Sequence, residues 1–129
     1  MGTTGGRPTF FLIVEDDFGV LHSMQQLLCQ LPSVRVLTAG GFVSATAQIA
    51  KGQIGLLVVD VCLDEPGIGV DLAFFALEYH PRLALVIISA DGKCECGAFP
   101  ERACFLPKPF GMRELLRAID QAFLSVNKA

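Results

Sequence analysis

The chain has 129 residues, enough for one domain with a sizeable buried core. Apolar residues make up 52% and charged residues 18%, yet no apolar run approaches the roughly 18 residues a membrane span needs, so the excess hydrophobicity belongs to a buried sheet. A formal net charge of −3 and the lack of any basic stripe exclude an evident nucleic-acid surface.

Residues 1–8 read as a flexible polar lead, without the apolar stretch of a signal peptide. The first strand is predicted over 10–14, an apolar run that ends in Glu15-Asp16-Asp17. A helix follows over 18–31, with Val20, Met24, Leu27, Leu28 and Leu31 on one face and Pro32 as its stop. Residues 34–38 alternate as a second strand, which Gly40-Gly41 ends. The next helix, over 42–51, is expected to bury Phe42, Ala45, Ile49 and Ala50, with Gly52 closing it.

The third strand is the sharpest signal in the chain. Leu56-Leu57-Val58-Val59 is short, continuous and apolar, as in a strand buried on both faces, and it runs straight into Asp60. Burying an isolated carboxylate is costly, so Asp60 belongs where the strand ends and a crevice begins. After a breaker-rich loop over 63–69, a third helix is predicted over 70–79. A fourth strand over 83–89 ends in Ser89-Ala90, and a fifth over 104–106 runs into Pro107-Lys108-Pro109. Between them, residues 91–102 hold Gly92, Gly97 and Pro100 without a sustained period, so no regular three-turn helix is expected there. A last helix over 112–126 carries Leu115, Leu116, Ile119, Ala122 and Phe123 on one face. The alternation of strand and helix implies an α/β fold: a parallel sheet with helices on both faces, in one domain over 9–127.

Five cysteines remain. Cys29 and Cys62 are expected as buried thiols in apolar settings. Cys94 and Cys96 flank Glu95, with Cys104 further on, but a zinc site lacks a fourth ligand, because His22 and His80 lie far away in sequence. Reduced, unliganded thiols in a cytoplasmic protein are the expected state.

Each apolar strand thus ends in a polar group: an acidic pair after the first, Asp60 after the third, Ser89-Ala90 after the fourth and Lys108-Pro109-Phe110 after the fifth. Taken in order, these motifs resemble the response-regulator receiver domain of two-component signalling, over nearly the whole chain. The resemblance implies a flavodoxin-like doubly wound sheet of five strands in the order 2-1-3-4-5. It implies that Asp60 accepts a phosphoryl group from a histidine kinase or phosphotransfer protein. Asp17 and Asp60 would hold Mg²⁺ directly and Asp16 through water, with the backbone carbonyl of Cys62 as a further ligand. Lys108 would stabilise phosphoryl charge. Ser89 would bond a phosphoryl oxygen, and Phe105 would swing to follow it. Independently of the resemblance, converging carboxylates need a hard cation to stay ionised together, and Mg²⁺ suits oxygen ligands.

Three departures stand out. The loop after Asp60 is longer than the family's usual spacing and adds Asp64-Glu65; position 62 is cysteine; and the spacing from Ser89 to Lys108 is short, where the family's fourth helix should be. That region is therefore expected to be shortened or irregular. The leading functional reading is a phosphoacceptor module that switches a binding surface for a downstream protein or output domain outside this chain, without binding nucleic acid or membrane. It would be no enzyme beyond assisting its own phosphorylation and dephosphorylation. A phosphorylation-independent interaction module is the alternative. A Mg²⁺-dependent phosphohydrolase ranks last, because Cys62 stands where such an enzyme wants a general acid.

Overall fold

The apolar runs become the strands of one parallel sheet in the computed structural model, which describes residues 8–65, 67–89 and 99–128. The strands are β1 (Thr9–Val14), β2 (Val34–Ala39), β3 (Leu56–Asp60), β4 (Ala84–Ser89) and β5 (Cys104–Pro107). The helices among the described residues are α1 (Phe18–Leu28), α2 (Phe42–Lys51), α3 (Ile68–Tyr79) and α4 (Met112–Lys128). The sheet order is β2-β1-β3-β4-β5, every pair parallel, as the resemblance implied. The chain steps outward from β1 to β2 and then back across to β3. The order therefore reverses between β1 and β3, and their carboxyl ends flank a crevice.

Strand periodicity explains why the apolar runs are unbroken. Successive side chains leave opposite faces of a strand, so a sheet covered on both sides must be apolar at every position. Phe11, Ile13, Leu56, Val58, Val86 and Ile88 pack with Met24 and Leu28 of α1 and Leu115 and Ile119 of α4. Leu12, Val14, Leu57, Val59, Leu85 and Ile87 pack with Ala45 and Ile49 of α2 and Leu72 and Ala76 of α3. Two cores result, one on each face of the sheet.

Several boundaries and burials differ from expectation. Helix α1 ends at Leu28, after which Gln30 and Leu31 donate to the carbonyls of Leu27 and Leu28 in tighter turns. Cys29 closes that helix and is exposed, and Cys62 is exposed as well, because it lies past the end of β3 and outside both cores. Ala50 is exposed, since the residue after Ile49 turns about 100° away from the core-facing stripe. Helix α3 starts early, at Ile68, behind a left-handed Gly67 at φ 91°. Its first turn lies hard against the end of β3: a Cβ on Gly69 would stand 2.0 Å from the carbonyl oxygen of Asp60, so only glycine allows this approach.

The expected lead over 1–8 lies outside the described residues except for Pro8. Most of residues 91–102, where no regular three-turn helix is expected, lies outside them as well, with Cys94 and Cys96. Of its described part, Glu101 and Arg102 form a turn, and an Arg102 Nη2–H donates to the Pro81 carbonyl.

Candidate functional site

Register decides which side chains meet at the crevice. β1 and β3 pair up to Val14 opposite Val59, so the next residues, Glu15 and Asp60, stand side by side. Glu15 continues the face of Phe11 and Ile13, and Asp60 that of Leu56 and Val58, which is the α1 and α4 side of the sheet. Both are buried, Glu15 to 1% exposure and Asp60 to 6%.

Lys108 reaches the pair from the loop after β5. Its backbone N–H donates to the Ser89 carbonyl at 2.9 Å, which ties that loop to the end of β4, and the following Lys108–Pro109 peptide is cis. Nζ of Lys108 donates to Oδ2 of Asp60 at 2.8 Å and lies 3.2 Å from Oε1 of Glu15. The other Asp60 oxygen, Oδ1, accepts the Cys62 N–H at 2.8 Å, so both oxygens of that carboxylate are oriented. Glu15 Oε2 accepts the Asp17 N–H at 3.1 Å. Its Oε1 is buried and, despite the nearby ammonium, has no donor aligned on it.

Burial pushes the Glu15 carboxyl up to about 7; the Asp17 amide and Lys108 oppose this, and the neighbouring Asp60 charge adds to it. Partial burial alone would lower Lys108, but the Asp60 and Glu15 carboxylates more than offset that and hold it above its usual range.

Asp16 completes the group. Carboxylate oxygens of Glu15, Asp16 and Asp60 lie within 4.8 Å of one another. Three convergent carboxylates, two of them buried, form an all-oxygen donor set that fits a hard cation such as Mg²⁺.

Asp17, expected as a ligand, is elsewhere. Its Oδ1 accepts the N–H groups of Gly19 and Val20, so it serves as the N-cap of α1. Glu15, and not Asp17, stands in the convergent carboxylate group. Period-two alternation could have found this, because Glu15 shares the parity of Ile13 and therefore the face Asp60 continues. Of the other candidates, Ser89 is buried at the end of β4, and Phe105 is 51% exposed on β5, edge-on to Phe99 with ring centroids 4.8 Å apart. Asp64, noted only as extra charge, donates its backbone N–H to Oδ2 of Asp16 at 3.0 Å.

No protein-family profile matches the chain. A receiver-domain protein described as CheY-like, from Methanospirillum hungatei JF-1, superposes with a TM-score of 0.80 at 24% identity, covering 94% of this chain and 98% of that one. The fold is that of a response-regulator receiver domain. The non-phosphorylated receiver domain of HemR from Leptospira biflexa is 26% identical, with a TM-score of 0.72 over 89% of this chain and 94% of that one. The curated DNA-binding transcriptional regulator NtrC of Azospirillum brasilense is 29% identical over 88% of this chain. This chain spans only 24% of that regulator's length.

Proposed function

We propose that this chain is a phosphoacceptor module of two-component signalling, with Asp60 as the residue that takes the phosphoryl group. One observation carries the reading: a carboxylate at the switch point of a receiver fold, held at 2.8 Å by Lys108 and grouped with two further carboxylates. A carboxylate oxygen of Asp60 attacks phosphorus, the bond from phosphorus to the donor's imidazole nitrogen breaks, and the imidazole keeps that electron pair and takes up a proton. Glu15, Asp16 and Asp60 would hold Mg²⁺, which when bound offsets the negative charge gathered on the phosphoryl oxygens.

The protein's own groups supply the rest. Lys108 places an ammonium where charge develops on the transferring group. The Cys62 amide fixes the carboxylate's rotation. Ser89 is close to the site through the Lys108 amide on its carbonyl, and its hydroxyl is our choice for a phosphoryl-oxygen partner. Phe105, on the adjacent strand, is our choice for the side chain that reports the change to a partner. A cleft of about 580 Å³ beside Lys108, lined by Asp17, Val20, Met24, Leu27 and Phe110, offers the phosphodonor protein an apolar seat next to the acid group. The same reading makes the chain cytoplasmic and not an enzyme in its own right.

Incubation with Mg²⁺ and acetyl phosphate, followed by intact-mass measurement, tests this. Wild-type protein should gain one phosphoryl group and Asp60→Asn none. Equal labelling of the two proteins would refute the assignment.

A further inference from the structure

Asp16 is the exposed member of the carboxylate group, on the loop leaving β1, where no strand pairing sets its direction. Its Oδ2 accepts the backbone N–H of Asp64 at 3.0 Å. Asp64 belongs to the loop between β3 and α3, and its own side chain turns the other way. Its Oδ2 accepts the N–H of Phe42 at 3.0 Å, the first residue of α2. The residue before, Gly41, has no side chain with which to cap that helix, so Asp64 caps it from another loop. Asp64 has φ 60°, a left-handed conformation that Asp and Asn tolerate better than other side chains. Gly41 leaves room for it, since a Cβ there would come within 3.3 Å of Asp64 Oδ1. Cap, backbone conformation and facing glycine all select one shape of the loop, and that shape aims the Asp64 amide at Asp16.

We propose that Asp64 is a positioning residue for the acidic site: pinned to the N-terminus of α2, it holds Asp16 in the orientation that joins Glu15 and Asp60. This rests on reading that site as a Mg²⁺-dependent phosphoacceptor. Asp64 touches none of the reacting atoms and acts through Asp16. The arrangement also links the acidic group to the N-terminus of α2.

The test compares wild type with Asp64→Asn, Asp64→Ala and Asp64→Gly. Asn keeps an acceptor oxygen and tolerates the left-handed φ but removes the charge. Ala and Gly both remove the acceptor, and Gly does so without a strained φ, so loss of folding cannot mimic the result in both. Mg²⁺ affinity by calorimetry should weaken on the order of tenfold in Ala and Gly, as for loss of an outer partner of a metal site, and stay near wild type in Asn. Exchange of the Phe42 amide should quicken in the same two variants. Phosphorylation by acetyl phosphate should need more Mg²⁺ in both, with its maximal rate preserved at saturation. Wild-type affinity in both Ala and Gly overturns the proposal. So does an Asn variant as weak as Ala, because Asp64 would then act only as a charge near the cation. Wild-type protein that neither binds Mg²⁺ nor takes a phosphoryl group overturns the underlying reading of the site, and this proposal with it.

Discussion

Glu15 and Asp60 stand side by side at the carboxyl ends of β1 and β3, both buried, and share the single ammonium of Lys108. One cation between two buried carboxylates leaves Glu15 short of compensation, and burial raises its proton affinity to about 7 from an ordinary value of 4.5. The folded state thus holds a proton that the unfolded chain has already released. The sign follows from linkage: this contribution to stability is complete below about 4.5 and is lost as pH rises through about 7. Without divalent cations, stability should therefore fall by up to about 3 kcal/mol across that window, at about 1.4 kcal/mol per pH unit. Urea unfolding at a series of pH values should show this slope in wild type, and Glu15→Gln should flatten it.

Lys108 should matter for both stability and chemistry. Removing one partner of a buried pair is strongly destabilising, but the Lys108 side chain is 26% exposed and solvent screens part of the loss. Lys108→Met should cost about 2 kcal/mol in urea unfolding without Mg²⁺, and less with Mg²⁺ present, because the cation also offsets the carboxylates. Its rate of labelling by acetyl phosphate should fall on the order of a hundredfold, in line with loss of one charge-stabilising group. Unchanged labelling would remove Lys108 from the chemistry.

Gly69 should be intolerant of any side chain. The 2.0 Å approach of its Cβ position to the Asp60 carbonyl involves backbone on both sides, so neither partner can rotate away. Gly69→Ala should destabilise by roughly 3 kcal/mol, the upper part of the range for overpacking. It should also slow labelling of Asp60, whose backbone must shift. A denaturant midpoint equal to wild type would show that α3 can slide to accommodate a methyl group.

Asp16 and Asp17 adjoin in sequence and should separate in function. Asp17→Ala removes the N-cap of α1 and should cost about 1 kcal/mol of stability while leaving most Mg²⁺ affinity. Asp16→Ala should do the reverse, lowering Mg²⁺ affinity sharply with little loss of stability. Calorimetric titration beside thermal melts of the two variants checks both halves. Equal Mg²⁺ affinity in the two would return Asp17 to the metal group.

Much of the fold was legible because its signals are local. Apolar runs mark β1, β3 and β4; helical spacing marks α1, α2 and α4; and Asp60 and Lys108 announce themselves as polar groups at the ends of apolar strands. Cys29 and Cys62 were misread for the same reason, since apolar neighbours in sequence do not put a residue on the inward side.

What only the tertiary structure decided is which of three consecutive acids does what. A run of Glu15, Asp16 and Asp17 offers equivalent chemistry to any reader of the sequence. Strand register places Glu15 against Asp60, the start of α1 draws Asp17 away as a cap, and the loop after β3 brings the Asp64 amide to Asp16. The Asp64–Asp16 and Lys108–Asp60 bonds each join residues 48 apart in the chain. Helix propensity and the Asp17 cap act over a few residues, whereas partners at that separation are chosen by sheet order and by the packing of helices on both faces.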